Sequence, residues 1–443
     1  ALKRVISGDN TAVKPPALII ESKTFMAKLP DKSGKFSAVT VFFFCCSGMI
    51  AAKNEIWKKG AVLRELQSEK MEVLYENILK LQWQQLVMWL IGGVLIFLAI
   101  RKKMEPALLL PMGFGAILVN LPMSGAVDQV VNGETEAGVI DLLFNAGIAN
   151  ELFPLLLFIG IGAMIDFGPL LENPKLLLFG AAAQFGIFFT LSMASLMGFA
   201  LKDAASIAII GAADGPTSIF VANFLKSDYI GPIIIAAYSY MALVPIVQPP
   251  IIRLITTKRE RMIRMPYEQK SVSKLTRILF PIVITVITGL VAPRSVALIG
   301  FLMFGNLIRE CGVLNSLSDS AQNMLANLIT LLLGLTVASK MQAEAFLRVD
   351  TLMILLLGLI AFIFDTFGGV LFAKVMNLFM KKKINPMIGA AGISAFPMSA
   401  RVVHKMGLAE DNQNFLLMHA VGANVSGQIA SVIAGGLLLN FVL

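Results

Sequence analysis

The chain has 443 residues, of which 57% are apolar and 15% charged, with a mean hydropathy of +0.78. Soluble domains carry about 25% charged residues, so an ordinary soluble enzyme is excluded. The net charge of +9 has no soluble basic domain to carry it, so nucleic-acid binding is set aside; in a membrane chain Lys and Arg collect in cytoplasmic loops.

In chain order, residues 1–35 carry seven Lys/Arg against three acids and read as a cytoplasmic tail. The run 36–52 reads as an extra membrane span, with the core of a cleaved leader as the alternative. Residues 53–82 mix Lys and Glu at helical apolar spacing and read as a surface helix. Charge-free runs then follow at 83–100, 107–127, 152–165, 176–201, 229–252, 278–293, 295–308, 323–339, 351–364 and 412–443. Most are long enough, with flanking residues, to cross a hydrocarbon layer ~30 Å thick as helices. Two further segments, 204–225 and 384–400, are rich in Gly, Ala, Ser and Pro.

These runs fall into two sets of six, each with one Gly/Pro-interrupted segment before its last long run. Such a matched pair points to a transporter of inverted repeats. Charge tests the pattern. The loop 253–277 holds eight Lys/Arg against two Glu. It should therefore be cytoplasmic, as should loops 101–106 and 374–383. Five segments lie between the first two of these loops, so one of them fails to cross, and 204–225 is the natural choice. The loop 128–151, with five acids and no Lys or Arg, falls outside. The expected architecture is an all-α polytopic membrane protein. After an N-terminal extension (1–82) come a first repeat (83–252), a basic loop (253–277) and a second, inverted repeat (278–443). The interrupted segments would enter from opposite sides and meet near the midplane; two discontinuous crossing helices are the alternative.

Asp214 stands in GAADGPTSIF after ten uncharged residues. A carboxylate at a helix centre costs at least ~2.5–3.5 kcal/mol on insertion scales, so it needs a compensating partner. Gly215 and Pro216 follow directly, and proline breaks the turn and frees carbonyls. With Thr217 and Ser218 these groups make an oxygen cage for a hard cation; a helix kink paired with a hidden base is the bland alternative. The second segment reads INPMIGAAGISAFPMSARVVHKMG. Asn385, Ser394 and Ser399 supply neutral oxygens, while Gly389 and Gly392 either interrupt the helix or let helices pack closely. Arg401, His404 and Lys405 follow at the expected cytoplasmic mouth, as anion-attracting groups or as simple anchors. Asn424 lies mid-run in HAVGANVSGQIA. Tyr238 and Tyr240 place phenols well inside 229–252, and Asp365 is a further buried acid. Three cysteines (Cys45, Cys46, Cys311) and two histidines (His404, His419) exclude a disulfide framework and a histidine-rich metal site. No nucleotide-binding fingerprint or catalytic triad spacing is present.

GIGAMIDFGPLLENPK, GAAAQFGIF, GAADGPTSI, AAYSYMALVPIVQPPI, INPMIGAAGISAFPMSARV and NFLLMHAVGANVSGQIAS resemble the beta subunit of the sodium-pumping biotin-dependent decarboxylases. That family includes the oxaloacetate, methylmalonyl-CoA, glutaconyl-CoA and malonate enzymes. The resemblance covers about residues 83–443; residues 1–82 depart from it. It implies a bacterial inner-membrane, multi-pass subunit that decarboxylates carboxybiotin and couples this to sodium export. Asp214 would match the essential sodium-site aspartate, with Asn385 and Asn424 as further sodium ligands. Ser394 and Tyr238 would belong to the sodium and proton pathway, and Gly389 and Arg401 would be motif positions. Carboxybiotin would approach near Arg401 and Lys405. The chain has no Ala-Met-Lys-Met biotinylation motif, so biotin would sit on a partner biotin carrier protein. A carboxyltransferase alpha subunit, a small single-span gamma or delta subunit and a homo-oligomer are further implied. A secondary sodium:organic-anion symporter without catalysis fits the spans and oxygen clusters equally well; only the motifs separate the two.

Overall fold

The computed structural model describes residues 80–103, 105–131, 133–266 and 272–442. The expected tail, the span at 36–52 and nearly all of the surface helix lie outside the described residues. In the first half, α1 (Trp83–Lys102) and α2 (Pro106–Val119) precede a hairpin of β1 (Gln129–Val131) and β2 (Glu134–Glu136). Then come α3 (Val139–Phe144), α4 (Leu152–Met164), α5 (Gly168–Glu172), α6 (Leu177–Ala183), α7 (Phe185–Leu196), α8 (Leu201–Ala208), α9 (Gly215–Phe224) and α10 (Ile230–Ile255). After α11 (Lys258–Arg261) the second half holds α12 (Lys274–Val291), α13 (Val296–Cys311), α14 (Asn315–Asp319), α15 (Ala326–Val337), α16 (Ala343–Phe346), α17 (Val349–Phe379), α18 (Met398–Glu410) and α19 (Leu417–Val442). Among the described residues six continuous helical stretches are long and apolar enough to cross a membrane. A further pair, 139–149 and 152–164, passes the same criterion together but is bent by 61°.

The path of the chain follows from what each helix end touches. Lys102 and Lys103 at the end of α1, Arg253 near the end of α10, and Arg401 and Lys405 on α18 line one cavity. At the same end Arg277 at the start of α12 faces Asp166 after α4 and Glu310 at the end of α13. Lys374 of α17 donates to the carbonyl of Ile255. The opposite end gathers Lys340, over the ring of Phe144, and Arg294, bonded to the Leu439 carbonyl near the end of α19. The basic loops thus share one side, as positive charge demands of them.

Both interrupted segments double back. Lys202 at the start of α8 pairs with Asp228 beyond α9 at 2.9 Å, and Ser227 donates to Asp203 at 2.6 Å. The first segment therefore enters and leaves at the end away from the basic loops. The second begins at Asn385, which donates to the carbonyls of Arg261 and Ile263 at 2.7 and 2.9 Å. It finishes at Glu410 and Asp411, paired with Arg261 and Arg264. Its entry and exit are both at the basic end. Irregular backbone of this kind persists at depth only when protein groups satisfy it. Ser399 and Gln248 do this for the Ala390 carbonyl, at 2.9 Å each.

One close approach decides how the second hairpin packs. Gly389, in the tight turn Pro386–Gly392, faces Gly369 of α17, and a methyl on either would overlap the other's carbonyl. Only backbone fits there, so the turn lies directly on the helix.

Candidate functional site

The two hairpins meet at their breaks. The backbone N–H and the hydroxyl of Ser394 both donate to the carbonyl of Ala212, at 3.1 and 3.0 Å. Ala212 closes the tight turn Ile209–Ala212, and Ala213 then takes a left-handed conformation with φ of 52°. Asp214 follows as the N-cap of α9, with Gly215 and Pro216 in the first turn. Proline is tolerated there because its missing N–H would have no helical partner anyway.

Asp214 is buried, yet both its oxygens have partners. Oδ1 accepts from the Thr217 N–H at 3.3 Å, while Oδ2 accepts from the Thr217 hydroxyl at 2.7 Å and from Ser431 of α19 at 2.9 Å. Ser218 donates to the Asp214 carbonyl at 2.8 Å. No Lys or Arg forms an ion pair with Asp214 among the described residues. Hydrogen bonds to a charged group contribute more than neutral ones, about 1.5–3 kcal/mol each, which offsets part of the carboxylate's desolvation.

Helix α19 supplies the other wall. Asn424 donates its amide to the Ile393 carbonyl at 2.6 Å, and Gln428 donates to the Ser394 carbonyl. The amide oxygens of both, Asn424 Oδ1 and Gln428 Oε1, are buried and accept nothing. The hydroxyl of Tyr238 is also buried without a partner. Its ring occupies the space a Cβ on Gly215 would need, 2.5 Å away. Native interiors rarely leave such groups unmatched. The junction therefore holds one carboxylate, two idle amide oxygens and a phenol beside the Ser394 hydroxyl, a donor set of oxygens suited to a hard cation.

The structure thus brings together Asp214, Thr217, Ser394 and Asn424, with Gly215, Pro216 and Tyr238 packed beside them. Asn385 stands elsewhere. Its amide holds the loop carbonyls at the basic end, its Oδ1 accepts from the Met387 N–H at 3.1 Å, and none of its hydrogen bonds reaches the cluster. Gly389 sits in the turn between. Gln428 and Ser431 are members that sequence reasoning missed. The signal was available: 424, 428 and 431 share one helical face at i, i+4 and i+7.

Arg401 and Lys405 line a separate cavity of about 460 Å³ at the basic end, with Lys102, Lys103, Arg253 and Glu105. Burial pushes the Glu105 carboxyl above its ordinary value, and the Arg401 charge opposes that shift. Five cationic side chains around one partly buried carboxyl give this cavity a positive potential.

Fold and site together define a polytopic helical membrane protein with a polar centre built where two interrupted hairpins meet. Residues 84–442 match the model of the Na+-transporting oxaloacetate decarboxylase beta subunit. The chain is 46% identical to the oxaloacetate decarboxylase beta chain of Klebsiella pneumoniae over 413 residues, which covers 81% of this chain and 95% of the relative. It is 48% identical to the methylmalonyl-CoA decarboxylase subunit beta of Propionigenium modestum, over 80% of this chain and 94% of that one. With the glutaconyl-CoA decarboxylase subunit beta of Acidaminococcus fermentans the identity is 49%, over 81% and 94%. The chain belongs to the family of sodium-transporting decarboxylase beta subunits. It is a bacterial multi-pass membrane subunit of a decarboxylase sodium pump, an enzyme complex of several subunits.

Proposed function

We propose that this subunit removes carbon dioxide from carboxybiotin, delivered on a partner biotin carrier, and uses the reaction to export sodium. The observation that carries the reading is the junction of the two hairpins, where Asp214 lies beside buried oxygens that accept nothing. Asp214, Ser394, Asn424 and Gln428 hold the sodium ion, and Tyr238 lies on the proton path. Asn385 fixes the mouth of the second hairpin through the carbonyls it binds. The halves 83–252 and 278–443 act as inverted repeats whose relative rocking opens the junction to either side in turn.

Carboxybiotin enters the cavity at the basic, cytoplasmic end, where Arg401 and Lys405 bind its carboxylate and Lys102, Lys103 and Arg253 raise the local potential. Loss of carbon dioxide breaks the N–C bond and leaves the electron pair on the biotin nitrogen, which takes up one proton. That proton arrives from outside through Asp214 and Tyr238, and its arrival at Asp214 displaces sodium. Moving one charge against 100 mV costs about 2.3 kcal/mol, which sets the minimum the decarboxylation must supply per charge. A carboxyltransferase alpha subunit loads the carrier and selects the carboxylated substrate. A small single-span subunit and further copies of this chain complete the membrane assembly.

The test is the decay of free carboxybiotin by the purified complex across a sodium titration. Sodium-activated decay in the wild type that disappears in Asp214→Asn supports both the chemistry and the ion site. Sodium binding without decay at any concentration would leave a symporter.

A further inference from the structure

Asp365 is used by none of these steps. It lies sixteen residues after the first residue of α17 and fourteen before the last, and it is completely buried. Its Oδ1 accepts the N–H of Gly186, at the start of α7 just beyond the break at Gln184. Its Oδ2 has no partner. Gly211, three residues before Asp214, faces that free oxygen, and a Cβ there would stand 3.0 Å from it. Gly186 gives way on the other side, since its Cβ would overlap Oδ1. Two glycines thus leave room for one carboxyl, and one of the two belongs to the turn that leads into Asp214.

Two buried oxygens on adjoining segments also lack partners. Thr366 Oγ1 on α17 and Gln184 Oε1 at the break are both buried without partners. No opposite charge faces the site among the described residues. On α17 the nearest ionisable groups are Asp350 and Lys374, and α6, α7 and the turn 386–392 carry none. The hairpin offers Asp214, with Lys202 and Asp203 at its entrance. Helix α10 offers Tyr238 and also Tyr240, whose hydroxyl is bonded to the Leu355 carbonyl. The N–H groups of Gly186 and Ile187 face the carboxyl but bring no opposite charge, so its ionised form needs a cation beside it.

We propose that Asp365 is a second cation-exchange site, distinct from the junction, which alternates between a proton on Oδ2 and a bound sodium ion. The exchange is –COOH + Na⁺ → –COO⁻Na⁺ + H⁺, so no net charge enters the protein. Because Oδ2 abuts Gly211, occupancy of this site bears on the turn that positions Asp214. The inference rests on the proposed function for sodium reaching the centre of the protein, and its test takes Asp214 to exchange a proton for sodium as well.

The test uses the purified complex in weakly buffered detergent solution, with proton release on sodium chloride addition followed by a pH indicator. Metal binding to a protonated ligand releases its proton, so Asp365→Asn and Asp214→Asn should each lose about half of the release, and the double variant all of it. Asparagine is isosteric with the protonated acid and can still accept from Gly186. Release at the wild-type level in Asp365→Asn overturns the proposal. Should that variant fail to assemble, wild-type complex is treated with a hydrophobic carbodiimide and mapped by mass spectrometry. Labelling at Asp365 that sodium prevents supports the site, and no labelling there, or labelling indifferent to sodium, overturns it. Full release in Asp214→Asn would instead count against the junction and leave Asp365 standing.

Discussion

The two hairpins solve the same problem in opposite ways. The first carries its charge at the break: Asp214 caps α9 and is satisfied within its own turn by Thr217 and from α19 by Ser431. The second carries no charge at its break and offers backbone carbonyls at Ile393 and Ser394, each taken by an amide of α19. One contributes a carboxylate, the other neutral dipoles, and α19 serves both from a single face. A cation site needs this division. The carboxylate supplies the charge that offsets a monovalent ion, and the neutral oxygens complete its coordination without adding more charge.

The largest effect short of losing Asp214 comes from lifting the second hairpin off its support. Gly389→Ala places a methyl against the Gly369 carbonyl, and neither backbone can yield without shifting α17. Overpacking of this kind costs about 1–3 kcal/mol. A lowered unfolding temperature with sodium-dependent decay reduced in parallel is expected. Unchanged stability and activity would show that the turn does not rest on α17. A smaller effect sharpens the role of the neutral side. Gln428→Leu keeps the volume but removes both the donor to Ser394 and the idle oxygen. The sodium concentration for half-maximal decay should rise about 10- to 100-fold, the usual consequence of losing a supporting ligand. Gln428→Glu, which restores an oxygen and adds charge, should recover part of that loss; equal defects in both variants would reduce Gln428 to a structural hydrogen bond.

Much of this was legible in the sequence. Parity of the basic loops required one segment in the first half to turn back, and the bonds of Lys202 and Ser227 across its ends show that it does. Asp214 stood out because an acid in an apolar run is costly and needs a compensating partner. Ser394 and Asn424 stood out as polar groups beside small residues, and both lie at the junction. Asn385 shows where one-dimensional reasoning stops. The seven residues Pro386–Gly392 form a tight turn rather than an open loop. At ~2 Å of rise per residue this sets Asn385 roughly 14 Å from the break, so it meets Arg261 and Ile263 instead. Gln428 was unmarked because a glutamine in a long apolar run reads as a tolerated polar residue until its oxygen is seen to lack a donor. The basic cavity was likewise only half visible. Arg401 and Lys405 are neighbours in sequence, but Lys102, Lys103 and Arg253 join them through folding.

The smallest expected effect concerns how the hairpins are moored. The first is tied at its entrance by Asp203, buried and bonded to Ser227 and the Asp228 N–H. The second is tied at the basic end by Arg264, whose Nε and Nη2 donate to the two oxygens of Asp411. Hydrogen bonding and the charge of Arg264 hold the Asp411 carboxyl below its ordinary value of 3.8. A carboxyl depressed on folding stabilises the native state above its unfolded value, and that contribution is lost as pH falls through the folded value. Asp411→Asn should therefore lower the unfolding temperature slightly at neutral pH, while the variant and wild type converge as pH is taken below 3.8. The pair lies near the surface, so raised salt should narrow the neutral-pH gap as well. A gap that persists at acid pH would mean that the ion pair with Arg264 is not what moors the hairpin, since asparagine can still accept from the N–H of Gln413.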